Sequence, residues 1–436
     1  MKGDPTRPVV VVGGGVTGLS AGAMLGEKGI VLEKEGAPGG CLRSDAVGAY
    51  TVDRTGHLFH MRQPWILRML ERGGMSEWVD HERDARVRVL GHTVAYPIQY
   101  NLAGLPPGVI AKCLDGLCSA EPVSGAGTPF SEWATSSFGD GLWELFFEPY
   151  NQKLWHYDLD EMTADWTGRF VPPRDFKRAV EGALVVRDKD PAGYNSVFSY
   201  PARGGSQAIP DALARLAPRV ECGQDVVAID WQGRVSRTAG GASYEYSALV
   251  STMPITQLAA CLHPRIPELD EIVSGLRHNS IGYVVWGGPS AEPDWHWLYI
   301  ADPAARPCRV GNLGSYASGL APAGHAMICV EQAFAADGVI RASDDELVAD
   351  SRVLLGDLGL LHGEGALEPI HVGRLNPAYV VFTYDTRVQV ARARRLLMER
   401  GIISTGRYGA WTYGAAGDAM RQGCAAARLA KRWVFA

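Results

Sequence analysis

The sequence lacks an excess of positive charge and has almost no long hydrophobic stretch. Its 436 residues carry a formal net charge of -6 and a pI near 6.0, which gives no broad basic surface and argues against nucleic-acid binding. One uncharged run, residues 8–26, is long enough to resemble a secretory signal or a membrane anchor. No other run approaches the length of a membrane span, so the membrane question depends on this one segment.

Cysteine is scarce and scattered. The chain has eight cysteines, and the closest pair, Cys113 and Cys118, has neither CxxC spacing nor a nearby histidine. This pattern predicts no metal site and favours buried, reduced thiols in a cytoplasmic protein. The sequence also has no evident internal repeat or low-complexity segment. Its length predicts two or three domains.

Glycine argues against both a signal and an anchor in residues 8–26. Six of these 19 residues are glycine, which weakens a signal or spanning helix but suits a tight turn between a strand and a helix. The four valines at 9–12 predict a short buried strand. Residues 17–27 have a helical pattern, and residues 30–32 predict a second strand. The segment is therefore predicted to open an α/β unit.

The glycines of this unit match a nucleotide-binding fingerprint. Gly13, Gly15 and Gly18 have the G-x-G-x-x-G spacing, and Glu33 follows Gly13 by 20 residues at the end of the second predicted strand. A carboxylate at this point can accept hydrogen bonds from an adenosine ribose, while the helix N-terminus faces the diphosphate. The pattern predicts a dinucleotide site, with a purely structural βαβ unit as the alternative.

The segment after the ribose acid distinguishes FAD from NAD. It reads EGAPGGCLRS and supplies a second glycine turn, Gly39–Gly40, followed by the basic Arg43. This segment resembles the flavin-binding amine-oxidase and glutathione-reductase-like families, in which FAD is buried in an extended form. The resemblance implies FAD as the cofactor.

The remaining pattern predicts an α/β fold in which a Rossmann-like FAD-binding domain is combined with an inserted helical domain and a β-sheet substrate domain. Residues 83–102 alternate like a strand pair, residues 108–120 and 130–155 are helical, and residues 280–385 are rich in strands and turns. The FAD-binding domain is predicted over 1–80, 191–260 and 396–436, the helical domain over 101–190, and the sheet domain over 81–100 and 261–395. The chain is predicted to end in an amphipathic helix.

Seven motifs in order give a more specific resemblance. They read RTGHLFH, VAYPIQYNL, EPYNQKLW, FSYPARGG, LVSTMP, WLY and GRYGAWTY. The chain resembles flavin-dependent UDP-galactopyranose mutases, and the long eukaryotic-type enzymes more than the shorter bacterial ones. The motifs extend over nearly the whole chain.

The resemblance implies an isomerase that interconverts the pyranose and furanose forms of a UDP-hexose such as UDP-galactose. In that family the reduced flavin attacks the anomeric carbon, UDP leaves, and the ring opens and recloses in a covalent sugar adduct before UDP returns. FAD would be active in its reduced state, with NAD(P)H as the expected reductant. A UDP-sugar is the expected partner, and an oligomer is possible.

The resemblance also assigns residues to the site. The implied catalytic residues are His57, Arg309, Tyr379, Tyr413 and Arg169. The implied FAD contacts are Gly13, Gly15, Val16, Thr17, Gly18, Glu33, Lys34, Gly40, Arg43, His57, Val226, Arg407, Gly417, Asp418 and Met420. The implied substrate contacts are Arg83, Tyr96, Gln99, Asn151, Trp155, Asn195, Trp297, Tyr299, Arg309, Tyr379 and Tyr413.

Two departures from the family leave the substrate open. Where the eukaryotic-type enzymes have Trp-x-Gly-Glu-Arg-Val, this chain has WTGRFV, which puts Phe170 at the position of the second diphosphate arginine. Arg169 could replace that arginine only if the local backbone rotates. The turn after Tyr413 is also about two residues shorter than in the family, by comparison with the family pattern, although Asp418 is still expected near the flavin.

Two other functions therefore stay open. The first is a flavin oxidase or desaturase with the amine-oxidase fold, for which the residues of a uridine pocket would serve no purpose. The second is a non-catalytic binder of nucleotide sugars, which would be expected to lose His57 or the flavin motifs.

Overall fold

The computed structural model describes residues 4–60, 63–124, 127–190, 192–193, 195–289, 293–361 and 367–435. Over these residues, none of the helices combines the length and the apolar character needed to cross a membrane. All eight cysteines are free thiols. Four of them are buried, as predicted, but Cys118 is exposed, which corrects the expectation of uniformly buried thiols.

The strands are β1 (Val9–Val12), β2 (Gly29–Leu32), β3 (Ser44–Val47), β4 (Tyr50–Asp53), β5 (Trp78–Glu82), β6 (Ala85–Val89), β7 (His92–Ala95), β8 (Val197–Pro201), β9 (Val220–Glu221), β10 (Val226–Asp230), β11 (Val235–Thr238), β12 (Ser243–Glu245), β13 (Ala248–Ser251), β14 (Leu262–His263), β15 (Ser280–Pro289), β16 (Trp297–Ile300), β17 (Arg309–Asn312), β18 (His325–Phe334), β19 (Glu368–Leu375) and β20 (Ile402–Ser404).

The α-helices are α1 (Val16–Leu25), α2 (Pro64–Arg72), α3 (Pro107–Ser119), α4 (Phe130–Leu142), α5 (Glu148–Trp155), α6 (Phe176–Leu184), α7 (Ala208–Leu216), α8 (Ile255–Cys261), α9 (Pro267–Ser274), α10 (Asp344–Asp357), α11 (Thr386–Met398), α12 (Gly406–Gly409) and α13 (Ala416–Phe435).

A five-stranded parallel sheet with the order β20-β13-β1-β2-β9 forms the nucleotide-binding part of the fold. Its central strand β1 is completely buried and pairs in parallel register with β13 and β2. Helices α1 and α13 pack against each other beside this sheet. Apolar residues of α1, α7 and α13 share one core with β1. The sheet and its helices confirm the predicted α/β class.

A seven-stranded mixed sheet with the order β19-β15-β18-β17-β16-β6-β7 forms the second large layer. The predicted strand pair is confirmed, because β6 and β7 are antiparallel neighbours. The predicted strand-rich region also contains the 14-residue helix α10, which the sequence reading missed. This helix has a reciprocal capping box between Ser343 and Glu346, a local signal that was available in the sequence.

A π-helical segment, Trp143–Phe147, joins α4 to α5. Such segments shift the face that a helix presents and are frequent at functional sites. Here Phe146 and Phe147 from the segment, with Tyr150 and Asn151 from α5, all line one cavity. The predicted helical pattern of residues 130–155 is thus confirmed, with this interruption at its centre.

Candidate active site

A cavity of about 700 Å³, which we call the large cavity, runs from the turn after β1 to the first turn of α13. The size is typical of small-molecule sites. It is lined by these predicted cofactor and catalytic residues: Gly13, Gly15, Val16, Thr17, Glu33, Lys34, Gly40, His57, Val226, Arg309, Tyr379, Arg407, Tyr413 and Asp418. Residues far apart in the sequence therefore meet along one cleft.

Two glycine turns form one end of the large cavity. The Gly39 amide donates to the Gly14 carbonyl at 2.9 Å, and a Cβ on Gly40 would lie only 3.2 Å from the Gly15 Cα. Helix α1 begins at this point without a side-chain cap, so its first amide groups remain available to an anion. The arrangement suits a diphosphate held by backbone amides.

Glu33 lies beside these turns at the carboxyl end of β2. Its Oε2 accepts a hydrogen bond from the Gly14 amide at 2.6 Å, and its Oε1 accepts one from the Glu35 amide at 2.9 Å. These bonds fix the orientation of the carboxylate, which is only 7% exposed. An oriented carboxylate at this position can accept ribose hydroxyls.

Four predicted cofactor residues lie outside the lining of the large cavity. Gly18 lets α1 pack closely on the first glycine turn, because a Cβ there would lie only 1.9 Å from the Gly13 carbonyl oxygen. Met420 is completely buried in the core with α1, and Gly417 is buried next to Asp418. Arg43 is held by Glu35 at 2.7 Å and Asp45 at 3.0 Å. These two carboxylates orient its guanidinium, and the contact of Arg43 with FAD stays a prediction.

A second cavity of about 220 Å³, which we call the small cavity, adjoins the large one. Both are lined by Gly56, Leu58, His60, Phe170, Arg309, Glu331 and Tyr413. The small cavity contains these predicted substrate residues: Tyr96, Gln99, Asn151, Asn195, Trp297, Tyr299, Arg309 and Tyr413. Tyr379 lines only the large cavity.

An ion pair stands in the wall between the two cavities. Arg309 donates from Nε and Nη2 to the Glu331 carboxylate at 2.8 and 2.6 Å, and the two residues are direct cross-strand neighbours on β17 and β18. Burial alone would lower the pKa of Arg309, but the Glu331 carboxylate raises that pKa well above its ordinary value. Arg309 is therefore a permanent cation whose orientation Glu331 fixes.

Glu331 itself was missed by the sequence reading. Its side chain is 2% exposed and lines both cavities. Its opposition to Arg309 follows from the register of two strands separated by a loop of 12 residues, 313–324. The sequence offered one signal, a glutamate within the mostly apolar run AMICVEQAF at 326–334, because acidic residues are rarely buried in a strand.

Two predicted substrate residues lie behind the small cavity instead of lining it. Trp155 is completely buried, and its indole N–H donates to the Asn151 side chain at 3.0 Å. Trp166 lies against Trp155 with ring centroids 5.2 Å apart and takes the place on the cavity wall. A direct substrate contact of Trp155 would need a surface that this ring does not expose here, so that contact stays a prediction.

Arg83 is the second predicted substrate residue that lies behind the small cavity, and it is completely buried. Its guanidinium donates to the Asn195 side chain, to the Asp190 carbonyl at 2.9 Å and to the Ala192 carbonyl at 2.6 Å. It also lies 4.9 Å from the centre of the Tyr96 ring. Arg83 thus supports Asn195 and Tyr96, which line the cavity, from behind.

The departure at residues 169 and 170 has a clear geometry. Phe170 lines both cavities and meets Tyr413 edge to face, with ring centroids 4.5 Å apart. Arg169 forms an ion pair with Asp418 at the start of α13. Among the described residues that line the small cavity, full charges belong to Arg309 and Glu331 alone.

A sequence model of the flavin-containing amine oxidoreductases matches residues 16–430, which is nearly the whole chain. The chain belongs to this family. Its predicted flavin cofactor and its membership of the amine-oxidase superfamily are therefore confirmed.

Several solved structures are similar to the chain over nearly its whole length. It is 25% identical to reduced UDP-galactopyranose mutase, with a TM-score of 0.89 over 99% of this chain and 96% of that one. A provisionally assigned protoporphyrinogen oxidase from Exiguobacterium sp. 255-15 is 16% identical, with a TM-score of 0.74 over 98% and 99%. A CLA-producing fatty acid isomerase from P. acnes is 14% identical, with a TM-score of 0.68 over 99% and 100%. The last two similarities show the fold alone.

The large cavity of this amine oxidoreductase fits FAD. Its glycine turns leave space that a Cβ would fill, and Glu33 is oriented beside them. Farther along the cavity, the buried His57 Nδ1 has no hydrogen-bond partner among the described residues. His57 follows Thr55, whose φ of +67° is rare for a β-branched residue. A strained backbone beside a cavity-lining residue that has a buried, unpartnered nitrogen is typical of a functional site.

The protonation of His57 gives a prediction for the stability of this flavoprotein. Burial, and then the cations Arg407 and Arg309, lower the pKa of His57 to about 4, below the value of about 6.5 expected when unfolded. Above about pH 6.5 His57 is neutral in both the folded and the unfolded protein, and its contribution to stability is fully present. As the pH falls toward 4, the unfolded chain takes up a proton that the folded protein does not, so this contribution is lost. The expected loss is about 3 kcal/mol of unfolding free energy.

Denaturant unfolding of the wild type and of His57→Gln between pH 7 and 4 measures this loss. The wild-type curve should fall more steeply, because only its residue 57 must take up a proton on unfolding. Equal slopes for the two proteins would show that His57 titrates normally in the fold.

Proposed function

We propose that this flavoenzyme interconverts the pyranose and furanose forms of a UDP-linked hexose such as UDP-galactose. The observation that carries the proposal is the oriented Arg309, which lines both the large and the small cavity. A nucleotide sugar in the small cavity would place its diphosphate beside a fixed cation and its sugar toward the flavin. The similarity to UDP-galactopyranose mutase supports this choice of substrate.

The bound, reduced FAD would supply the nucleophile for the anomeric carbon. Arg309 would hold the diphosphate oxygens and stabilise the charge that develops when UDP leaves. Tyr379 and Tyr413 would donate hydrogen bonds without adding charge. Burial is the main cause that raises the pKa of Tyr379, so its hydroxyl stays protonated and can donate a hydrogen bond.

His57 would contribute a neutral imidazole to the site. Its pKa of about 4 keeps the ring uncharged at neutral pH, so it would act as a hydrogen-bonding group and not as a cation. Residues of the uridine pocket would be Tyr96, Gln99 and Asn151, closed by Asn195. Arg407 is half-buried and lies beside the rings of Tyr379, Tyr408 and Tyr413, so it would hold these rings in place at the flavin side.

Incubation of dithionite-reduced protein with a panel of UDP-sugars, followed by proton NMR of the ring form, tests the proposal. We expect ring interconversion with the reduced protein and none with the oxidised protein, because the reaction depends on the electron-rich flavin although it has no net redox change. NAD(P)H should replace dithionite if it is the reductant.

A flavin oxidase or desaturase is the second candidate, favoured by the amine-oxidoreductase family itself. Turnover by the oxidised protein with stoichiometric consumption of oxygen, and no change of any UDP-sugar, would establish it in place of the mutase.

The position of Trp155 predicts a stability effect in place of a binding effect. Trp155→Phe removes the N–H that pairs with Asn151 and should lower the unfolding free energy by about 1–3 kcal/mol, the usual cost of an unsatisfied buried polar group. Denaturant unfolding measures this loss. UDP affinity, measured by calorimetry on the same folded variant, should change less than about tenfold, because the ring is not on the cavity wall and Asn151 keeps its hydrogen bond to the Phe147 carbonyl at 2.7 Å. A large loss of UDP affinity at unchanged stability would return Trp155 to the binding site.

A further inference from the structure

Two neighbouring residues attach the segment 164–175, which we call the flap, to the segment 413–418 at the start of α13. Arg169 forms its ion pair with Asp418, and Phe170 packs on Tyr413 at 4.5 Å. The guanidinium of Arg169 also lies 5.1 Å from the centre of the Phe170 ring. The two attachments therefore support each other.

Asp418 is well placed to receive this attachment. Its side chain is 7% exposed, and its Oδ2 accepts a hydrogen bond from the Ala415 amide at 3.0 Å. The positive end of the α13 dipole stabilises a carboxylate in this first turn. Asp418 is thus a fixed anion, while Arg169 is 41% exposed and reaches it from the flap.

Both ends of this link border the large cavity. Asp418, Tyr413 and Phe170 line the large cavity, and Phe170 and Tyr413 also line the small one. The link therefore joins the flap to α13 at the wall of the large cavity, where Phe170 and Asp418 both lie. This role differs from a phosphate contact, because the guanidinium of Arg169 is directed to Asp418.

We propose that Arg169 is a positioning residue that fastens the flap to the first turn of α13, so that retention of FAD and closure of the small cavity depend on the same ion pair. It acts through Asp418 and Phe170 and touches no substrate phosphate. The proposal concerns the flavin cavity and holds whether or not the enzyme acts on a UDP-sugar.

Arg421 offers a matched control. It pairs with the same carboxylate, at 2.9 Å from Asp418 Oδ1, but it lies on α13 itself. Arg421→Met and Arg169→Met therefore remove the same charge from Asp418, and only the second variant separates the flap from the helix. Both arginines are substantially exposed, so both variants are expected to fold.

The experiment measures the FAD dissociation constant after reconstitution, and the amide hydrogen exchange of the flap in the holoprotein. Arg169→Met should weaken FAD binding roughly 5- to 30-fold, between the effects of an exposed and a buried ion pair, and should speed exchange at the Phe170 and Val171 amides, which bond to the Thr167 carbonyl. Arg421→Met should change FAD affinity less than about twofold. Equal effects of the two variants, or no effect of Arg169→Met, would overturn the proposal.

A double-mutant cycle with Asp418→Asn completes the test. If the pair acts as a unit, Arg169→Met/Asp418→Asn should bind FAD no more weakly than Asp418→Asn alone. Additive losses would show that Arg169 acts elsewhere. The mutase proposal is tested by the NMR assay, so its failure would leave these FAD measurements interpretable.

Discussion

Arg309→Met should lower the turnover of the reduced enzyme on its UDP-sugar about 100- to 1,000-fold, because one donor aimed at developing charge supplies about 2.7–4 kcal/mol of transition-state stabilisation. This arginine would carry most of that stabilisation alone, since Phe170 occupies the place of a second arginine and Arg169 pairs with Asp418. Steady-state kinetics of the reduced, FAD-loaded variant measures the loss.

The single variant leaves Glu331 buried without its partner, which costs about 3–5 kcal/mol in typical buried pairs. Arg309→Met/Glu331→Gln removes both charges and should restore the unfolding free energy while turnover stays low. A double variant that binds FAD and turns over within about tenfold of the wild type would show that Arg309 does not stabilise the leaving diphosphate.

The second large effect is expected at Gly18. Gly18→Ala should yield protein that is unstable and does not retain FAD, because the new Cβ would lie 1.9 Å from the Gly13 carbonyl oxygen. The Gly13 peptide cannot shift freely, since its amide donates to Leu32 at 2.8 Å and its carbonyl accepts from Thr252 at 3.3 Å. The expected cost is about 3 kcal/mol or more of unfolding free energy, at the upper end of overpacking effects.

Thermal unfolding and flavin absorbance of the purified variant test this prediction. Gly36→Ala is the matched control, because Gly36 lies between the same two glycine turns and a Cβ there would meet open space. A Gly18→Ala protein with wild-type stability and a full complement of flavin would show that α1 can move away from the turn.

The parts of the fold that could be predicted depend on short-range patterns. The unit β1–α1–β2 has four consecutive valines, a glycine fingerprint and a terminal acid within 25 residues, 9–33, and the structure forms it with β1 and β2 in parallel register. The strand pair β6–β7 was equally local. Helix α10 was missed although its capping box is local, because the surrounding strands dominated the pattern.

The candidate site was harder to predict, because side-chain direction and pairing depend on tertiary contacts. Sequence motifs identified Arg309 but could not show that Glu331 lies opposite to it. They also could not show that Arg43 turns to Glu35 or that Trp155 faces the core while Trp166 lines the small cavity. Each of these outcomes depends on which neighbour the folded chain brings within reach.

The parallel sheet also affects when this protein can become functional during synthesis. Strand β20 (Ile402–Ser404) pairs with β13, and α13 packs on α1, so part of the cover of the first helix comes from residues that are translated long after it. Until α13 is made, the face of α1 that it covers stays exposed, a state prone to aggregation and chaperone binding. Because Arg407, Tyr413 and Asp418 line the large cavity, flavin capture is expected only after these residues have been translated, and cellular flavin supply should affect the yield of folded enzyme.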